Sequence, residues 1–147
     1  MKVSLAADHA GYELKETIKR HLSAAGIEVS DFGTDRGESV DYPDYGRPAA
    51  VAVARGAADR GILFCGSGQG MCMVANKVRG VRAALAWTPE IARLSRQHND
   101  SNVLCLPARF VGPDEAVAIV VAWLAAAFEG GRHARRVDKM THLEEEE

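Results

Sequence analysis

Short runs of β-forming residues alternate with helix-length segments along the whole chain, and that order admits few folds. A helical crossover returns the chain to the edge it left, so successive strands lie parallel. Parallel strands must be covered on both faces, which predicts an α/β fold: a parallel sheet between two helical layers. The 147 residues suit one domain with its own apolar core, and residues 1–147 contain no internal repeat or linker-like tract.

Strands are expected over residues 3–7, 27–32, 61–65, 82–86 and 102–106. The first helix spans about residues 12–25, where Leu14, Ile18 and Leu22 recur at helical spacing before Gly26 stops it. Asp41-Tyr42-Pro43-Asp44 leads into an Ala-rich helix ending near Gly56, after a loop over residues 33–39 that is long enough to line a site. The glycine-rich stretch Gly66-Ser67-Gly68-Gln69-Gly70 opens the next helix toward Val78, and Thr88-Pro89-Glu90 starts another. An apolar helix follows Pro113, a charged segment begins at about Ala134, and the four glutamates at 144–147 read as a frayed acidic tail.

Composition removes several function classes. Lys and Arg number 18 against 20 Asp and Glu, so no net positive field invites nucleic acid or an anionic membrane, and any anion must be bound locally. The longest apolar run, residues 116–128, is shorter than the roughly 20 residues that cross a bilayer. Cys65, Cys72 and Cys105 show no CxxC pair and no histidine at zinc-like spacing, which predicts free thiols and no metal. The opening Met1-Lys2-Val3-Ser4-Leu5 has no secretory pattern, so the expected location is cytoplasmic.

In open parallel sheets, ligands bind beyond the carboxyl ends of the strands, where helix N-termini turn free N–H groups outward. Three polar clusters are expected to converge there: Asp8-His9-Ala10-Gly11, Cys65-Gly66-Ser67-Gly68-Gln69-Gly70 and Ser95-Arg96-Gln97-His98-Asn99-Asp100. A thiol leaving a strand into consecutive amides at a helix start is placed for a lowered pKa, usable as a base near neutrality. Without side chains, the glycines let a substrate oxygen approach the N–H groups of Ser67, Gly68 and Gly70, a nest suited to an enediolate. The competing reading makes Cys65 a small buried hydrophobe and the glycines a tight turn. The loop lacks the Gly-Lys-Ser/Thr ending of a P-loop, and its GxGxG spacing is not that of a dinucleotide fold, which argues against a nucleotide.

His9 and His98 are each suited to proton transfer or to a structural hydrogen bond, and Asp8 to orienting, to base chemistry or to capping a helix. Arg132 and Arg136, four apart, share a helix face that could grip a phosphate or merely be solvated, and Arg109 lies nearer the expected site. Cys72 and Cys105 are assigned to the core.

These residues resemble the type B ribose-5-phosphate isomerases, grouped with galactose- and allose-6-phosphate isomerases. The resemblance runs almost end to end and is carried by Asp8-His9-Ala10-Gly11, Asp41-Tyr42-Pro43, residues 61–68, Ala75-Asn76-Lys77, residues 95–100 and Glu129-Gly130-Gly131-Arg132-His133. It implies a Rossmann-like three-layer α/β/α sandwich with a five-stranded parallel sheet, a homodimer or tetramer with shared active sites, and no metal or organic cofactor. It implies that His98 helps open the furanose ring with Asp8 nearby, that Cys65 shuttles the proton between C2 and C1, that the Ser67-to-Gly70 amides with Asn99 hold the enediolate, and that Gly66 contacts the substrate. Tyr42 is implied to line the sugar site, and His9, Arg109, Arg132 and Arg136 to bind the phosphate. The last two would reach across from a neighbouring subunit on the segment from about residue 130. Some members place a glutamate where this chain has Met71; with Cys65 present, the chain resembles the cysteine-base branch.

The expected reaction is interconversion of ribose 5-phosphate and ribulose 5-phosphate through a cis-enediolate. An isomerase of a six-carbon sugar 6-phosphate or of an unphosphorylated rare aldose needs the same chemistry with a differently sized pocket. A non-catalytic sugar-phosphate sensor and a cysteine-nucleophile enzyme are rivals from other classes.

Overall fold

The computed structural model describes residues 1–146. Its elements follow in the order β1 (Lys2–Ala7), α1 (Tyr12–Ala24), β2 (Glu28–Asp31), α2 (Tyr42–Ala54), β3 (Arg60–Cys65), α3 (Gln69–Asn76), β4 (Ala83–Leu85), α4 (Pro89–Asn99), β5 (Val103–Pro107), α5 (Pro113–Ala125) and α6 (Arg132–Leu143). The five strands form one sheet in the order β2-β1-β3-β5-β4. Every pairing is parallel, as the alternation requires.

The period-two pattern of the strands divides the core into two layers. Val3, Leu5, Ile62, Phe64, Leu104 and Leu106 face α1, α4 and α5, meeting Leu14, Ile18, Ala92, Ile119 and Trp123. Ala6, Leu63, Cys65, Val103 and Cys105 face α2 and α3, meeting Ala49, Ala50, Val53, Met71 and Ala75. Each large side chain buried this way contributes about 2 kcal/mol. α6 lies outside the sandwich, against α4.

The structure departs from sequence expectation at several ends. The fourth strand is only residues 83–85, because side chains take ladder positions beside it: Arg82 N donates to Asn102 Oδ1 at 2.8 Å and Ala83 N to Asn76 Oδ1 at 2.8 Å. α5 stops at Ala125, three residues before the apolar run ends, and Val121 is left exposed. The charged segment expected from about Ala134 belongs to a helix that starts at Arg132. The acidic tail is not frayed at its start, since Glu144 accepts the Gly80 N–H at 3.0 and 3.1 Å; Glu147 lies outside the described residues. Cys72 is half-buried, while Cys105 is buried as expected. No helix among the described residues is long and apolar enough to cross a membrane.

The largest correction concerns residues 95–100. α4 runs back across the sheet, so its last turn lies at the amino ends of the strands, just before β5 begins. The Trp123 indole donates to Ser101 Oγ at 2.9 Å, and the Ser101 and Ser95 hydroxyls share a 2.8 Å hydrogen bond, which pins this turn to α5. His98 and Asn99 therefore stand a strand's length, about 13 Å for the five residues of β5, from the edge where Cys65 sits.

Candidate active site

Strand order reverses at β1, whose successor in sequence lies on one side while β3 lies on the other. The carboxyl ends of β1 and β3 consequently diverge into a crevice, the place where such sheets bind ligands. Asp8 follows β1 and Cys65 ends β3; Asp8 N donates to Phe64 O at 3.2 Å, which fixes the two against each other. Both residues are buried. Asp8 Oδ1 accepts the Gly11 N–H at 3.0 Å, so the carboxylate also holds the entry to α1.

α3 begins directly after Cys65, and the first N–H groups of any helix lack partners within it. Here the backbone amides of Gly68, Gly70 and Met71 turn on the Cys65 sulfur, while Gln69 N donates to Ser67 Oγ at 3.4 Å. Gly68 makes the turn possible with φ +76, and a Cβ there would strike Leu85 at 2.5 Å. The Gly68 and Gly70 amides, expected to face a substrate oxygen, turn on the sulfur instead, and sequence reasoning missed the Met71 amide, which carries no side-chain signal. The expected lowering of the thiol pKa does not occur. Burial pushes the Cys65 thiol up, the nearby Asp8 charge pushes the same way, and the three amides only partly oppose them.

Other predicted residues gather at this edge. Val40 N donates to His9 Nδ1 at 3.2 Å, so the loop before α2 fixes that imidazole with its proton on Nε2. The Tyr42 ring covers the start of α3, so close that a Cβ on Gly70 would lie 2.6 Å from it. Arg109 N donates to Gly66 O at 3.0 Å, and its guanidinium lies over Gly66, 3.2 Å from where a Cβ would be. One cationic side chain therefore stands beside the nest.

The remaining predicted residues form a second cluster at the opposite pole. His98 stacks on His133, with centroids 4.2 Å apart and planes 9° from parallel. Arg132 and Arg136 are exposed on α6, and Asn99 is exposed at the end of α4. Glu129 N donates to Gln97 O at 3.0 Å, tying the segment before α6 to the same turn. His133 and Glu129 were missed as members of this cluster, because their pairing depends on where α6 docks. Within one chain this imidazole and arginine group cannot reach Cys65.

The model of the family described as Ribose/Galactose Isomerase matches residues 3–140. Ribose-5-phosphate isomerase B of Escherichia coli is 49% identical over 144 residues, covering 98% of this chain and 97% of its own. The solved ribose-5-phosphate isomerase B of Clostridium thermocellum superposes with a TM-score of 0.98 at 51% identity, covering 99% of each chain. That of Mycoplasma genitalium, solved with bound ribulose-5-phosphate, superposes at 0.96 with 45% identity, covering 99% of this chain and 97% of its own.

Proposed function

This chain belongs to the ribose/galactose isomerase family, and on that premise we propose that it is an aldose–ketose isomerase interconverting ribose 5-phosphate and ribulose 5-phosphate. The observation that carries the reading is Cys65 set under three convergent backbone N–H groups in the β1–β3 crevice.

In this mechanism the Cys65 thiolate takes the proton from C2 of the open-chain aldose, and the electron pair left behind moves onto the C1 oxygen. The resulting cis-enediolate is held by N–H donors of residues 66–71; the hydroxyl proton on O2 passes to O1, and the thiol returns its proton to C1 as O2 becomes the carbonyl oxygen of the ketose. Preorganised donors of this kind are each worth about 10²–10³ in rate. A thiolate whose pKa is raised is scarcer at neutral pH but a stronger base toward carbon. If Asp8 accepts a proton during ring opening, its charge vanishes and Cys65 ionises more readily, so the two events are coupled.

Ring opening assigned to His98, with Asn99 on the enediolate, requires a second copy of the chain. The separation of the two poles supports a homo-oligomer in which one subunit supplies Cys65, Asp8, His9, Tyr42 and Arg109. Its neighbour supplies His98, Asn99, Arg132 and Arg136; the arginines with Arg109 neutralise the phosphate, and His9 donates a hydrogen bond to it from Nε2. Expected absence of an organic cofactor follows from this chemistry, which needs only a base and an oxyanion site.

The test is an assay across five- and six-carbon sugar phosphates in D₂O, with Cys65→Ala beside the parent. Solvent deuterium should enter the product of the parent and not of the variant. Equal turnover by Cys65→Ala would place the base elsewhere, and preference for a six-carbon substrate would revise the sugar.

A further inference from the structure

The second pole holds a donor set that the isomerisation does not use as a set. His98, Glu129 and His133 each present one ligating atom, and these three atoms all lie within 4.8 Å of one another. Glu129 Oε2 is 3.7 Å from His133 Nε2. Two ligands of a tetrahedral zinc ion, each at about 2.0–2.1 Å, stand about 3.4 Å apart, so the carboxylate and one imidazole are nearly at ligand spacing. Coordination by His98 as well, whose ligating atom lies within 4.8 Å of the other two, needs the rings to tilt out of their parallel stack.

Two features favour a cation here. Both rings are held by the backbone around them: His98 lies in the last turn of α4, His133 in the first turn of α6, and the Glu129–Gln97 hydrogen bond joins the two. Both arginines are exposed and solvated, and Glu129 supplies the one anionic ligand of the set. Nitrogen and carboxylate donors together suit zinc and its neighbours better than magnesium or calcium.

We propose that His98, Glu129 and His133 form a binding site for a divalent cation of the zinc class, and that its occupancy withdraws the His98 imidazole from proton transfer. The site is inhibitory, distinct from any catalytic requirement for metal. Cation binding stands independently of the reaction proposed above; only the inhibition rests on it.

Cobalt(II) is the probe. Added to the metal-free full-length protein, it should bind at one equivalent per chain with visible d–d bands of nitrogen and oxygen ligation and no sulfur-to-cobalt charge-transfer band. Zinc should displace it. Glu129→Gln, at an exposed position, and His133→Asn should each weaken binding about 100-fold or more, since loss of even an outer-sphere partner costs 10–100-fold. Circular dichroism checks that both variants are folded. Zinc should inhibit the parent, and Glu129→Gln should keep basal turnover while losing that inhibition. Absent d–d bands, a thiolate charge-transfer band, or unchanged affinity in a folded Glu129→Gln variant would overturn the site. A parent that binds cobalt in this way but isomerises no sugar leaves the site standing and removes the reaction instead.

Discussion

The Asp8 carboxylate bears directly on the Cys65 thiol: its charge adds to burial in raising the thiol pKa, against three backbone amides that lower it. The neutral carboxamide of Asp8→Asn removes one of the two opposing effects and leaves the amides in place. The thiolate of that variant, followed by ultraviolet absorbance or by the pH dependence of alkylation, should form at lower pH than in the parent. An unchanged or higher titration would mean that Asp8 does not govern the sulfur.

Gly70 and Tyr42 leave no room for a methyl group. A Cβ at position 70 would lie 2.6 Å from Tyr42 Cζ, so Gly70→Ala must displace either the ring or the first turn of α3. Displacement of about an ångström in a catalytic constellation costs on the order of 100-fold, and kcat/KM should fall by roughly that factor. Adding Tyr42→Ala should recover folding stability without restoring the rate. A Gly70→Ala enzyme of parental activity would show that the nest tolerates movement.

The separation of poles makes a complementation experiment decisive. Cys65→Ala and His98→Ala should each be inactive on the ring-closed sugar. Dissociated together and reassembled as dimers, they should regain about a quarter of parental activity, since half the dimers are mixed and one of two sites in each is intact. No recovery would mean that the two residues serve the same subunit's site.

Asp31 predicts the acid limit of the fold. Burial pushes its carboxyl up, but Lys15 and Lys19, at 2.7 and 2.9 Å, and the Gly33 N–H prevail and hold its pKa below the usual value. A depressed carboxylate stabilises the fold above its unfolded pKa, and that stability is lost as pH falls through the folded value. Asp31→Asn should therefore flatten the acid side of the stability profile. It should also cost about 3 kcal/mol at neutral pH, because it removes an anionic partner from fully buried Lys15, leaving only Glu16. Urea melts at several pH values check both effects.

Local pattern made most of the scaffold legible. Short apolar runs, buried on both faces, located β1, β3 and β5, and the four-residue spacing of Leu14, Ile18 and Leu22 located α1. The Cys65 loop was readable for the same reason: a cysteine, glycines and a helix start are neighbours in sequence. What failed depended on direction and environment. Placing Ser95–Asp100 with the other clusters ignored that a crossover helix delivers its last turn to the far edge of the sheet. The sign of the Cys65 shift depends first on burial and then on Asp8, which is adjacent only through β1–β3 pairing. The His98–His133 stack depends on the docking of α6, about which the charged sequence of that helix says nothing.

The Ser95–Ser101–Trp123 hydrogen bonds have an optical corollary. Trp123 is fully buried, whereas Trp87 is half exposed near Ser67 and Gln69. The chain thus carries two intrinsic fluorophores of different emission: a blue-shifted one inaccessible to iodide that follows global unfolding, and a red-shifted, quenchable one that reports on the loop after Cys65.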